Sequence, residues 1–165
     1  FQSGEKVFLL TGTHQYKKHY LAMGLIDKHF QNSKILFRIN ALKNITNDSF
    51  TPLEKQPKAG EFVRLGKNYY CFDDAYNRGT WYKTPHKCDL AIFYPIDAMF
   101  QRDNFEPITE LVNRDIKKIF LCTWTDHRTN NLNKITDFYS KHVIFDVEED
   151  NPEYHAQMLK LFEDS

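Results

Sequence analysis

The stretch "CDLAIFYPI" (88–96) is almost continuously apolar, and Pro95 marks where it must end. It reads as a short buried strand. Other runs share that character: "KVFLLTG" (6–12), "SKILFRI" (33–39), "KKIFLCTW" (117–124) and "HVIFDV" (142–147). A strand with one wet face alternates polar and apolar residues, whereas runs like these need cover on both faces. The intervening segments supply that cover. In 14–30, Tyr16, Tyr20, Met23, Ile26 and Phe30 recur at helical spacing with charges between them. "FEPITELVNRDI" (105–116) reads as a short helix with Pro107 near its start, where a missing N–H is harmless. "NNLNKITDFYSK" (130–141) also reads as helical, and "NPEYHAQMLKLFED" (151–164) as a closing amphipathic helix with Asn151 as cap and Pro152 at its first position.

Between the second and third of these strands the pattern changes. Positions 40–60 show little periodicity and read as a connection. "FVRL", then Gly66-Lys67-Asn68, then "YYCF" predicts an inserted β-hairpin near 61–73, followed by a long aromatic loop to about residue 84. The order β-α-β, hairpin, β-α-β-α-β-α predicts an α/β domain. Its architecture is a three-layer Rossmann-like or flavodoxin-like one with a mainly parallel sheet. "FQSG" (1–4) reads as a tag remnant, leaving 5–165 as one domain.

Composition narrows the function. Lys+Arg and Asp+Glu both number 22, which argues against broad binding to nucleic acid or to an anionic membrane. No apolar run approaches the roughly 18 residues of a membrane span. Cys71, Cys88 and Cys122 are an odd number without close pairing, which fits buried thiols in a reducing, cytoplasmic setting. His86 and Cys88 form one pair with no matching second pair, so no metal and no cofactor are expected.

In parallel α/β sheets, ligands sit outside the carboxyl ends of the strands. The exit of the first strand carries Thr11, Gly12, Thr13 and His14. A dinucleotide fingerprint would need G-x-G-x-x-G, and a phosphate loop G-x-x-x-x-G-K; neither is present. Hydroxyls and N–H groups at a helix start can still hold an anion. Tyr94 and Asp97 stand at the exit of 88–96, where a carboxylate could orient a ligand hydroxyl. The exit "CTWTDHR" (122–128) is the most concentrated. Trp124 could stack on a ring, Asp126 could accept hydrogen bonds from a sugar or base, and Arg128 could meet a phosphate or a carboxylate. Glu106 and Glu110 lie in the helix after 88–97. Ile108, Leu111 and Val112 define that helix's apolar face, which puts Glu110 nearly opposite it, toward solvent.

The succession "CDLAIFYPID", "EPITEL", "KKIFLCTWTDHR", "NNLNKI", "HVIFDV" and the final helix resembles the nucleoside 2-deoxyribosyltransferase family over about 88–164. The resemblance implies an N-glycosidic bond as substrate, Glu110 as nucleophile through a covalent sugar intermediate, and Asp97 as an orienting acid. It departs from the family at "NFEPIT", where small residues usually precede the Glu, and at "LLTGTHQ" in the opening turn. Positions 7–30 are also similar to the start of some sugar N-formyltransferases, but the Asn, His and Asp set those enzymes need has no counterpart downstream.

The expectation is a nucleoside- or nucleotide-binding α/β protein with a small-molecule ligand, one that cleaves or transfers an N-glycosidic bond if Glu110 or Glu106 faces the site. Homo-oligomerisation is left open. The alternative is a non-catalytic nucleotide-sensing or protein-interaction module on the same scaffold.

Overall fold

The computed structural model describes residues 4–15, 17–46, 51–124 and 130–164. Its strands are β1 (Val7–Thr11), β2 (Lys34–Ile39), β3 (Val63–Leu65), β4 (Asn68–Asp74), β5 (Lys87–Phe93), β6 (Asp115–Cys122) and β7 (Lys141–Ile144). They form one seven-stranded sheet in the order β3-β4-β2-β5-β6-β1-β7. Every pairing is parallel except β3 with β4. The hairpin is therefore present, but its second arm is a full member of the parallel sheet, running beside β2 from Lys34↔Tyr69 to Ile39↔Asp74. Its turn uses Gly66 at φ 57, where a side chain would collide with the Asp27 carboxylate.

The helices are α1 (Lys18–His29), α2 (Arg78–Trp81), α3 (Asp97–Arg102), α4 (Glu106–Val112) and α5 (Pro152–Asp164), with 3₁₀ turns at Leu42–Asn44 and Leu132–Phe138. Alternation along each strand sends side chains to two separate cores. On one face Leu10, Ile35, Phe37, Leu90, Ile92 and Phe120 pack under Ala22 and Ile26 of α1. On the other, Val7, Leu9, Leu36, Ala91, Phe93, Ile119 and Leu121 pack under α3, α4 and Ile135 of the 3₁₀ turn. Both faces are covered, which is why the strands read as unbroken apolar runs. The three-layer α/β architecture expected from the sequence is the one observed.

Several boundaries differ from the sequence reading. The loop after β4 contains α2, capped by the Asn77 side chain accepting from Gly79 N–H. The helix expected over 105–116 is α4, preceded by the separate short helix α3. The segment 130–141 forms a 3₁₀ helix rather than an α-helix, and β7 stops at Ile144, leaving Phe145, Asp146 and Val147 as its exit. The three cysteines are free and buried. No helix among the described residues is long and apolar enough to cross a membrane.

Candidate functional site

Strand order marks where the ligand crevice of an open α/β sheet is expected. The chain leaves β1 through α1 on one face, toward β2; it leaves the neighbouring β6 through the 3₁₀ turn on the other face, toward β7. Connections diverge here to opposite faces from adjacent parallel strands, which is the topological switch point of an open α/β sheet. The exits of β1 and β6 are the two walls.

The β6 wall is tied to β5. Asp97, buried at the start of α3, accepts the Trp124 N–H at Oδ2 (2.7 Å) and the Asn130 amide at Oδ1 (3.0 Å). Thr123 donates from its N–H to Leu10 O (3.1 Å), fastening β6 to β1. Lys18, fully buried at the first position of α1, donates from Nζ to Trp124 O (3.0 Å). Tyr94 is buried and stacks on His19 of α1, with centroids 3.9 Å apart.

The β1 wall is tied to β7. Gly12 has φ 120, and any side chain there would overlap the Phe145 backbone, so only glycine permits this approach. Phe145 N–H donates to Thr11 O (2.7 Å), and His14 N–H donates to Phe145 O (3.2 Å). Thr13 N–H donates to Asp146 Oδ1 (2.8 Å). The Thr13 hydroxyl accepts from Val147 N–H (3.0 Å) and lies 3.1 Å from Asp146 Oδ1 and 2.8 Å from His155 Nδ1 of α5. The Thr11 hydroxyl lies 2.7 Å from His142 Nε2, and His14 Nε2 lies 3.3 Å from the Asp150 carboxylate.

Thr11, Gly12, Thr13, His14, Tyr94, Asp97 and Trp124 thus belong to one set of linked exits. Asp126 and Arg128 lie outside the described residues. Glu110 belongs to another constellation. Rather than facing solvent as its helical position suggested, it is 29% exposed. Its Oε1 accepts from Arg114 Nε (2.7 Å), and its Oε2 lies 2.8 Å from Arg38 Nη2. The cause is that α4 is flanked by the 78–86 segment as well as resting on the sheet. A position opposite its apolar stripe can therefore still be enclosed.

Arg38 of β2 is fully buried and donates bidentately to Asp73, its cross-strand partner in β4 (2.8 and 2.7 Å), and to Pro107 O (2.7 Å). Burial works against its charge, but the Asp73 and Glu110 carboxylates outweigh that and hold its pKa above the ordinary value. Glu110, Arg114, Glu106, Arg78, Trp81 and Tyr82 line a cavity of about 430 Å³ on this α2–α4 side of the sheet. Arg78 and Glu106 pair at its rim. Among the described residues, no group of three or more His, Cys, Asp or Glu is placed to hold a metal ion.

Reasoning from the sequence passed over Lys18 and Asp146. The signal for Lys18 was its distance from Gly12, which is the first-glycine-to-lysine spacing of G-x-x-x-x-G-K. Lys17 in place of the second glycine and His19 in place of the hydroxyl residue obscure it. Asp146 gave no signal, because it fell inside the expected last strand.

Neither a protein-family model nor a curated protein sequence matches this chain. Among solved structures it is similar in fold to the large terminase from a thermophilic bacteriophage, at TM-score 0.62 and 12% identity over 96% of this chain and 45% of that one. The same terminase in complex with ADP matches at TM-score 0.57 and 12% identity, covering 96% of this chain and 44% of that one. Its complex with ATP-gamma-S matches at TM-score 0.53 and 13% identity, with 96% and 43% coverage. The chain spans less than half the length of these terminases. At such identity the likeness is one of fold.

Proposed function

We propose that this protein is a nucleotide-binding α/β module that takes its ligand in the crevice between the β1 and β6 exits. The observation that carries the reading is the junction of β1 and α1 at the switch point, where Gly12 and Lys18 keep the spacing of a phosphate loop. The terminase structures solved with ADP and with ATP-gamma-S support it by likeness of fold. Trp124 at the opposite wall offers a ring for a base to stack against.

Hydrolysis is not part of the proposal. The position that supplies a Mg²⁺-binding hydroxyl in a phosphate loop is His19, whose ring is buried against Tyr94 and Tyr20, so the residues present do not fit that ion. Glycosidic transfer by Glu110, which the family resemblance implies, would need a carboxylate with a free lone pair facing the sugar. Two guanidiniums hold that carboxylate, so it stays a separate arm of the test.

One observation favours the second reading, a protein-interaction module that binds no nucleotide: the N–H groups of Thr13 and His14 already donate to Asp146 and Phe145. Calorimetric titration with ADP, ATP, GDP, GTP and deoxynucleosides separates the two. Base release is followed by chromatography in wild type and Glu110→Gln. Saturable nucleotide binding without base release or phosphate release is the expected result. Absence of binding to every compound would leave the interaction module, and base release abolished by Glu110→Gln would restore the transferase reading.

A further inference from the structure

We propose that Asp146 is a built-in latch on the nucleotide crevice: its carboxylate occupies the N–H donor that a phosphate would need, and ligand binding must expel it together with its hold on α5. This rests on the nucleotide-binding reading of the same site. The chemical basis is competition. In a loop that cradles phosphate, successive backbone N–H groups converge on an anion. Here the Thr13 N–H already has an anion, Asp146 Oδ1 at 2.8 Å, and the His14 N–H is taken by the Phe145 carbonyl at 3.2 Å. An N–H that donates fully to one oxygen is not available to a second, so carboxylate and phosphate exclude each other.

The latch is set to open at the β7 side. Asp146 is exposed, so once released its carboxylate is returned to water rather than stranded in a core. Its neighbours share the Thr13 hydroxyl: Val147 N–H donates to it and His155 of α5 lies 2.8 Å from it. Reorienting Thr13 toward a ligand therefore also loosens α5. That helix is weakly held. Of its side chains from Pro152 to Leu161 only Met158 is buried, while Leu159 and Leu161 are exposed. Elements with few buried apolar contacts occupy the low-stability end of a fold and are the ones that move. By population-shift logic, a nucleotide that binds only the opened state pays the opening free energy, and removing the latch returns it as affinity.

The test uses an ADP analogue with a fluorophore on its ribose, read by anisotropy on wild type, Asp146→Ala and Glu149→Ala. Glu149→Ala changes the net charge equally but removes an exposed neighbour with no bond to the loop. Hydrogen exchange of the α5 amides is followed with and without ADP. Asp146→Ala is expected to bind about tenfold tighter or more, the scale of one lost charge-assisted competitor. Glu149→Ala is expected to stay within about twofold of wild type under physiological screening. ADP should accelerate α5 exchange in wild type. Equal or weaker binding by Asp146→Ala, while wild type binds, overturns the latch and leaves the nucleotide reading intact. Binding by no variant overturns both. Should Asp146→Ala fail to fold, His155→Ala carries the test. It cuts the tie from α5 to Thr13 while keeping Asp146, and should speed α5 exchange and tighten ADP binding. No change in either overturns the latch.

Discussion

A guanidinium with no exposed surface survives in this sheet because each of its three nitrogens has an acceptor. Arg38 sits in a β2 position whose register partner is Asp73, and Glu110 and Pro107 O of α4 close over it. Removing one member of such a cluster costs far more than the cluster contributes, since the remaining charges stay buried without compensation. Arg38→Met should therefore lower stability by about 3–5 kcal/mol, read from the urea midpoint at constant m-value. Glu110→Gln keeps the shape, leaves Arg38 its Asp73 partner, and should cost about half as much or less. Equal costs would mean that Asp73 does not hold Arg38 by itself. A second residue-scale prediction concerns pH. The Asp89 carboxylate accepts from Lys34 N–H (3.0 Å) and pairs with Lys117 (2.9 Å), and these contacts, the backbone one foremost, hold its pKa below the ordinary value. A folded pKa below the unfolded one contributes stability above about pH 4 that is lost as pH falls through the folded value. Thermal melts of Asp89→Asn should show a shallower decline below about pH 4 than wild type.

At the scale of elements, local signals worked where local chemistry sets the boundary. The start of α5 was legible because Asn151 and Pro152 do what a cap and a first helical residue do. Tyr154 N–H donates to Asn151 Oδ1 at 3.0 Å. Asn151→Ala should destabilise this helix by about 1 kcal/mol, near the middle of the range for caps. Because α5 buries only Met158 between Pro152 and Leu161, the loss should register as faster hydrogen exchange within α5. The global unfolding midpoint should move by less than that loss, and a full parallel shift would mean that α5 unfolds with the core. Signals failed where a neighbour decides. Helical periodicity put Glu110 on the solvent side of α4, and that inference assumed a helix with one packed face. The 78–86 segment gives α4 a second one, and nothing near residue 110 in sequence announces it. The same holds for β4, which reads as a hairpin arm but pairs from Tyr69 to Asp74 with β2. Likewise the 3₁₀ turn at Leu132–Phe138 anchors itself through Ile135 in the core beneath β1 and β6, overriding an α-helical pattern.

For the molecule as a whole, apolar runs disclosed a doubly covered parallel sheet, while strand order, a product of pairings distant in sequence, was beyond their reach. That order decides which exits meet. It brings Thr11–His14 beside Thr123 and Trp124, and it sets the β7 exit against Gly12, so the proposed ligand-binding exit and the Asp146 contact proposed to close it lie on the same loop. The sequence could mark the exits as candidates but could not show that one of them is already occupied by the chain's own carboxylate. A global consequence follows from linkage. A ligand that binds only the folded state at about 100 times its Kd adds ~2.7 kcal/mol of stability. For a domain near this size that corresponds to a rise in Tm of roughly 5–10 °C. ADP should produce such a rise at a concentration that saturates the calorimetric titration. The rise should start at lower ADP concentration in Asp146→Ala, because less of the binding free energy goes into opening the crevice. The plateau slope against the logarithm of ADP concentration should be the same for both proteins, since one site is being filled in each. Different slopes would mean that the substitution had created a second site rather than opened the first.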